Sequence, residues 1–181
     1  MDVHLKHVPR VFPESHVMST IYQGDSTKVL FGTRIAIAVS RYNDSVTKRL
    51  LDGALAELVA AEIPAELITV AWTPGAFELT LVADRLAATG RYAAVICLGA
   101  IVRGETTHDR LIAQAVSQGI EAIARVHGLP ILFGVLACDT LAQALARAGG
   151  SEGNKGAECA RAAVEMISLL RHIHAPTHPT T

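Results

Sequence analysis

The sequence lacks any apolar run long enough to cross a membrane. A spanning helix needs roughly 18 consecutive apolar residues, and no stretch of the 181 residues approaches that length. The opening segment MDVHLKHVPRVFPES also lacks the apolar core of a secretory signal. We therefore expect no membrane association and a cytoplasmic location.

An excess of charge of one sign is missing as well. Lys and Arg total 16 and Asp and Glu total 17, which leaves a formal net charge of −1. Proteins that bind nucleic acids or anionic membrane surfaces usually carry basic patches and a basic balance. The sequence gives no reason to expect either as a partner.

Cysteine is scarce, and its three copies are far apart. Cys97, Cys138 and Cys159 lie in apolar or helical surroundings, and no CxxC motif occurs. This pattern is typical of reduced core thiols in a cytoplasmic protein. A catalytic thiol at Cys138 is the alternative, and we disfavour it.

Apolar residues, in contrast, make up 50% of the chain, enough for one domain with a sizeable core. Residues 1–18 and 174–181 mix histidine, proline and polar residues without a period. We predict a mobile N-terminal extension and a mobile tail on either side of one domain at residues 19–173.

Four apolar runs inside this domain alternate with segments of helical period. Runs without polar alternation are typical of strands buried on both faces of a parallel sheet. The four runs are Ile35–Val39, Ile68–Ala71, Ala93–Val102 and Ile131–Ala137. The alternation with short joints predicts the α/β class, as a flavodoxin-like three-layer α/β/α sandwich around a mainly parallel four-stranded sheet.

The predicted helices are marked by apolar stripes at helical spacing. One stripe, on the segment after the third run, contains Ile112, Ala115, Val116 and Gly119. The capping-box spacing of Thr140 and Gln143 predicts a further helix at Leu141–Ala148. The segment Thr20–Gly24 is predicted to be an extra strand, which would pair with the edge of this sheet or with a neighbouring subunit's sheet.

Polar, glycine and aromatic residues gather where the predicted strands end. In open α/β sheets, ligands bind beyond the carboxyl ends of the strands, and these ends carry Ser40–Asp44, Trp72–Glu78, Gly99–His108 and Ala137–Thr140. Each segment alone would suit an ordinary turn. Four of them at one edge of the sheet predict a pocket.

The segment Gly99–His108 carries the most specific chemistry. Glu105–Thr107 precede a predicted helix, and the free N–H groups at a helix start favour an anion such as phosphate. The carboxylate of Glu105 would repel an anion, so only its backbone N–H would contribute. His108 can transfer protons near neutral pH. An equally supported interpretation makes Thr107 a helix cap and His108 an exposed residue of the first turn.

The other glycine-rich segment, Arg147–Gly156, is superficially similar to a phosphate-binding P-loop. It lacks the adjoining Gly-Lys-Ser/Thr and follows a helix instead of a strand, so a P-loop is excluded. We expect a tight turn between two helices here, flanked by Arg147 and Lys155.

Several of these motifs together resemble one family. From about Thr20 to Ile173 the chain is similar to the 6,7-dimethyl-8-ribityllumazine synthases, through RYN at Arg41–Asn43, GAFEL at Gly75–Leu79, RGETTH at Arg103–His108, FGVL at Phe133–Leu136 and GNKG at Gly153–Gly156. The motifs occur in order and at compatible spacing. Their combination is much more specific than any one of them.

The resemblance implies a substrate site. Tyr42 is implied to stack on the pyrimidine substrate, Glu78 to accept hydrogen bonds from the ribityl hydroxyls, and His108 to transfer protons. Glu105 and Thr106 are implied to meet the substrate phosphate. The remaining implied contacts are Asn43, Ala76, Phe77, Ala100, Ile101 and Val102, with Phe133, Arg147 and Lys155 closing the site from the adjacent subunit. Neither a cofactor nor a metal is implied.

The sequence departs from the family pattern at a few positions. Asp109, Arg110 and Leu111 follow His108, where the family usually has an aromatic residue, an acidic residue and often tyrosine. Thr73 stands at a usual valine and Thr80 at a usual proline. None of these changes removes an implied catalytic group.

By this resemblance, the expected function is that of a lumazine synthase of riboflavin biosynthesis. It would condense 5-amino-6-(D-ribitylamino)uracil with 3,4-dihydroxy-2-butanone 4-phosphate, as a homo-oligomer of one pentamer or several, up to an icosahedral shell. A non-catalytic flavin- or lumazine-binding protein on the same scaffold is the alternative, but it would not need His108 or Arg147. A shell-forming structural role is compatible with catalysis.

Overall fold

The computed structural model describes residues 20–27 and 31–175. Its main sheet has four parallel strands in the order β2-β1-β3-β4, which are β1 (Ile35–Ser40), β2 (Ile68–Thr73), β3 (Ala94–Val102) and β4 (Ile131–Cys138). The α-helices are α1 (Asp44–Ala60), α2 (Leu79–Ala88), α3 (His108–His127), α4 (Leu141–Ala146) and α5 (Lys155–His174), and a 3₁₀ turn covers Ala65–Leu67.

Helices cover both faces of this sheet. Ile35 and Ile37 of β1 belong to the core beneath α1 and α5, whereas Ala36 and Ala38 belong to the core beneath α2 and α3. Successive residues of a strand point to opposite faces, so one apolar run fills both cores. The predicted three-layer α/β/α sandwich is confirmed.

The expectation of strands buried on both faces is correct for β1 and wrong for β2. Every residue of β1 is buried, but Val70 and Trp72 of β2 are 37% and 42% exposed. The cause is the strand order, because β2 lies at the edge of the sheet and, within the described part of the chain, pairs with β1 alone.

The segment after β4 differs in part from its prediction. Thr140 and Gln143 form the predicted capping box, but α4 ends at Ala146, two residues early. The chain then forms a short antiparallel hairpin, β5 (Ala148–Gly150) and β6 (Gly153–Asn154), instead of a simple turn. Gly149 and Gly153 have φ angles of +95° and +78°, which glycine adopts at little cost.

Residues 20–27 contain neither a strand nor a helix, so the predicted strand at Thr20–Gly24 does not pair with the sheet of its own chain. The segment crosses α5 instead, and Nδ1 of His172 lies 2.9 Å from the carbonyl oxygen of Gln23. Pairing with a neighbouring subunit stays a prediction. The predicted mobile extension at residues 1–18 lies outside the described residues. Of the predicted tail at residues 174–181, His174 is the last residue of α5, and residues 176–181 lie outside the described residues.

Candidate active site

A cavity of about 850 Å³ opens at the carboxyl ends of β1 and β3, between α2 and α3. Its position agrees with the predicted pocket for the segments after β1, β2 and β3. The fourth predicted segment, Ala137–Thr140, contributes no residue to this cavity, because β4 ends beside a different one. The predicted site residues that line it are Tyr42, Asn43, Ala76, Phe77, Glu78, Ala100, Ile101, Val102, Thr106 and His108. We call this space the aromatic cavity, after its two exposed rings.

Those rings belong to Tyr42 and Phe77, which are 73% and 57% exposed. The backbone N–H of Tyr42 donates to the carbonyl oxygen of Pro74 at 3.1 Å, so the loop after β1 is attached to the loop after β2. Exposed aromatic faces at a concave site suit a flat heterocycle.

Asn43 connects the N-terminus of α1 to β3. Its backbone is left-handed, with φ +59°, and its side-chain Nδ2 donates to the carbonyl oxygen of Ala100 at 2.8 Å. Asparagine tolerates this conformation better than most residues. The side-chain N–H₂ of Asn43 therefore already has a partner within the chain, which leaves its Oδ1 for a ligand.

Three hydrogen bonds that involve side chains hold the loop between β2 and α2. The N–H of Gly75 donates to Oε2 of Glu78 at 2.9 Å, and the hydroxyl of Thr73 donates to the carbonyl oxygen of Gly75 at 2.8 Å. The hydroxyl of Thr80 donates to the carbonyl oxygen of Phe77 at 3.1 Å. The threonines at which the sequence departs from the family pattern thus both bond to this loop.

His108 is the first residue of α3 and is exposed at the aromatic cavity. Thr107 occupies the N-cap position and His108 is exposed in the first turn, as the alternative interpretation expects, although the side chain of Thr107 makes no capping hydrogen bond. The N–H of His108 makes a long contact of 3.5 Å with the hydroxyl of Thr106. Side chains therefore make only a weak hydrogen bond to the backbone N–H groups at the start of α3. N–H groups in this position can bind an anion.

A second cavity, of about 480 Å³, lies beside the end of β4 and the start of α5. Arg147 and Lys155 line it together with Glu152, Glu158, Gln143 and Cys138. We call it the charged cavity. Nζ of Lys155 pairs with Oε2 of Glu158 at 2.9 Å, and this hydrogen bond raises the pKa of Lys155.

Two predicted site residues lie in neither cavity. Glu105 lines a small adjoining space of about 100 Å³ with Arg103 and Arg110, and this space shares Thr106 with the aromatic cavity. Phe133 lies on β4 and is 40% exposed. Within one chain, the structure brings most of the implied site together at the aromatic cavity and leaves Glu105, Phe133, Arg147 and Lys155 outside its lining.

The family model for 6,7-dimethyl-8-ribityllumazine synthase matches residues 32–171. This range contains all four parallel strands and both cavities. The chain belongs to this family. The lumazine synthases are transferases of riboflavin biosynthesis, so the resemblance found in the motifs is confirmed for the family.

Sequence reasoning missed several residues that line the aromatic cavity. Leu111, Ile112 and Ala115 follow His108 by three, four and seven positions and line the aromatic cavity with it. Residues at this spacing lie on one face of a helix. The spacing alone therefore predicts that these three residues lie on the same face as His108. Ala115 was expected in a packing stripe but is exposed. Gly75, Gly104 and Asp109 also line the cavity.

Two of the three cysteines are buried core thiols, as predicted. Burial raises the pKa of Cys97 to about 12 and that of Cys159 to about 11, as expected for core thiols. Cys138 is half-buried at the charged cavity, and burial also raises its pKa. A raised pKa opposes the thiolate that a nucleophilic cysteine needs.

No helix among the residues that the structure describes is long and apolar enough to span a bilayer.

Proposed function

We propose that this protein catalyses the lumazine synthase reaction, in which 5-amino-6-(D-ribitylamino)uracil condenses with 3,4-dihydroxy-2-butanone 4-phosphate. The observation that carries the proposal is the aromatic cavity, which combines two exposed rings, the carboxylate of Glu78 and the imidazole of His108. Membership of the chain in the family supports the same choice of substrates.

The chemistry forms two bonds between the substrates. The 5-amino group of the pyrimidine attacks the ketone carbonyl, and loss of one water gives an imine. Elimination then releases inorganic phosphate, as a proton leaves carbon and the C–O bond to phosphate breaks. The ribitylamino nitrogen closes the ring, and a second water leaves to give 6,7-dimethyl-8-ribityllumazine.

The residues of the aromatic cavity match what these steps require. The pyrimidine stacks on Tyr42 and Phe77, and the ribityl hydroxyls donate to Glu78. His108 moves protons during imine formation and phosphate elimination, and such catalysis contributes roughly 10²–10⁴-fold. Holding both substrates together in the cavity supplies much of the remaining acceleration.

The direct test is incubation of the purified protein with both substrates. We expect the fluorescent lumazine product and one inorganic phosphate per turnover. The variant His108→Ala should be strongly impaired, while His174→Ala, at the far end of α5, serves as the matched control and should match wild type. Tight pyrimidine binding without product would instead support the non-catalytic ligand-binding alternative.

We also propose that a second copy of the chain completes each site. Arg147 is exposed beside Lys155, and it has no carboxylate within ion-pair distance among the described residues. An arginine of this kind can clamp a phosphate with two parallel hydrogen bonds. Yet α4 and α5 pack on the opposite face of the sheet from α2 and α3, so Arg147 and His108 of one chain serve different cavities.

A closed ring lets the charged cavity of one subunit face the aromatic cavity of the next, and a pentamer or a multiple of pentamers is the expected assembly. Complementation tests this arrangement. His108→Ala and Arg147→Ala proteins should each be nearly inactive, and co-refolded mixed rings should be much more active than either parent. Verified mixed rings with no gain would place the whole site in one chain.

A further inference from the structure

The loop Pro74–Glu78 is held by hydrogen bonds within the chain itself. It carries Phe77 and Glu78 into the aromatic cavity, and it is a short connection that includes a glycine. Hydrogen bonds reach it from both ends, from Thr73 at the end of β2 and from Thr80 in the first turn of α2.

We propose that Thr73 and Thr80 are positioning residues that set Phe77 and Glu78 for the pyrimidine substrate. The proposal rests on the function proposed above, since it concerns the same cavity. Neither threonine lines the aromatic cavity, so both act through the loop that they hold.

Thr73 holds the first half of the loop from a buried position. Its side chain is buried, with 1% of the residue exposed, and its hydroxyl lies 2.8 Å from the carbonyl oxygen of Gly75 and 3.4 Å from that of Val39. A buried hydroxyl is costly unless it is bonded, so it favours the loop conformation that supplies the Gly75 carbonyl. Valine would fill the same space without this constraint.

The backbone turn at Gly75 also orients the carboxylate of Glu78. The Gly75 carbonyl accepts from Thr73, and the Gly75 N–H donates to Oε2 of Glu78 at 2.9 Å. One peptide segment thus connects the buried hydroxyl to the carboxylate. Oε1 of Glu78 is left to accept from a hydroxyl of the ligand.

Thr80 holds the second half of the loop and ties it to α3. Its hydroxyl donates to the carbonyl oxygen of Phe77 at 3.1 Å. A Cβ placed on Gly119 of α3 would lie only 2.7 Å from Cγ2 of Thr80, so the glycine lets the threonine methyl pack closely against the helix that begins with His108. The position of Phe77 is therefore coupled to the helix that carries the proposed proton donor.

Hydrogen bonds that order the loop Pro74–Glu78 in advance should strengthen ligand binding, because a mobile loop loses conformational freedom when it closes on a ligand. The variant Thr73→Val keeps the volume and removes the hydroxyl. We expect it to bind the pyrimidine about threefold to tenfold more weakly, the equivalent of one lost hydrogen bond. KM for the pyrimidine should rise, while KM for the phosphorylated ketone and kcat change little.

Thr89 provides the matched control. Its hydroxyl donates to the carbonyl oxygen of Leu86 at 2.7 Å at the other end of α2, away from both cavities. Thr89→Val therefore removes a similar hydrogen bond and should leave pyrimidine binding as in wild type. Thr73→Ser restores a hydroxyl and should recover most of the affinity, whereas Thr80→Val should weaken binding in the same direction as Thr73→Val.

The measurements are calorimetry with the pyrimidine, steady-state kinetics and amide hydrogen exchange of residues 74–79 in the ligand-free assembly. Faster exchange of this loop in Thr73→Val than in Thr89→Val supports the proposal, whether or not the reaction proposed above is correct. Unchanged loop exchange overturns it. Where wild type binds the pyrimidine, equal affinities of Thr73→Val and Thr89→Val also overturn it. A wild-type protein that neither binds the pyrimidine nor forms product contradicts the proposed function instead.

Discussion

The two cavities differ in the chemistry of their walls. Among the residues that the structure describes, the lining of the aromatic cavity includes two rings, the carboxylates of Glu78 and Asp109 and an imidazole, but neither lysine nor arginine. The charged cavity is lined by Arg147 and Lys155 together with glutamates, and none of the described residues in its lining is aromatic. A flat, neutral heterocycle suits the first and a phosphate suits the second. A reaction that joins a heterocycle to a phosphorylated ketone needs the chemistry of both cavities.

The cations of the charged cavity also differ from each other. Lys155 is paired with Glu158 at 2.9 Å, so part of its charge is neutralised locally. Arg147 makes one long hydrogen bond of 3.4 Å, from Nη1 to the carbonyl oxygen of Gln143. Its guanidinium therefore keeps most of its donors for an anion, which makes it the stronger candidate for the phosphate.

The largest expected effect is at the aromatic cavity. His108→Ala should lower kcat by roughly 10²–10⁴-fold, the usual contribution of a general acid–base group. Affinity for the pyrimidine should change little, because the rings that stack on it remain. Single-turnover kinetics together with calorimetry separates the two quantities, and wild-type turnover in the variant would show that His108 has no catalytic role.

A smaller effect is expected at the charged cavity. Arg147→Lys keeps the positive charge and loses the two-pronged geometry, so KM for the phosphorylated ketone should rise by about tenfold, as for one lost hydrogen bond to a charged group. Inorganic phosphate should compete with this substrate in wild type and less well in the variant. If neither KM nor phosphate competition changes, Arg147 does not bind phosphate.

The stacking interaction at Tyr42 can be separated from its hydroxyl. Tyr42→Ala should weaken pyrimidine binding by about 1 kcal/mol, whereas Tyr42→Phe keeps the ring and should retain most of the affinity. Calorimetry compares them directly. A large loss in the phenylalanine variant would mean that the hydroxyl, and not the ring face, makes the important contact.

The smallest effect concerns the thiol of the charged cavity. Burial raises the pKa of Cys138 and the charge of Arg147 opposes this increase, so the thiolate forms at a higher pH than in a free cysteine. Alkylation of the native protein should modify one thiol per chain and accelerate only above the ordinary cysteine pKa. In Arg147→Ala the pKa should rise further and alkylation should slow. Mass spectrometry of the digested protein identifies the modified residue.

Much of the fold could be predicted because its signals are local. The run Ile35–Val39 is apolar at every position, and a strand of this kind needs a helix layer on each side. Thr140 and Gln143 lie close in the chain, so their capping box was also recognisable. The hairpin at Ala148–Asn154 was missed, since glycines with positive φ permit several turns and the sequence does not say which one forms.

The candidate site was predictable as a set of residues but not as an arrangement. The family motifs identified Glu105 and Thr106 together, although only Thr106 lines the aromatic cavity. Leu111 and Ala115 line the aromatic cavity because α3 is oriented so that the helix face carrying His108 points toward this cavity. That rotation depends on how α3 packs against α2 and the sheet, which no local pattern specifies.

The sequence by itself determined the four strands of the main sheet, the helices that follow them and the family, because apolar period and motif spacing are properties of the chain. Tertiary structure decided which of those residues meet. The strand order placed β2 at an edge and exposed Trp72, and packing on opposite faces sent His108 and Arg147 to different cavities. Residues that are distant along the chain come together only through the sheet order and the helix orientations, and both follow from the packing of the whole core.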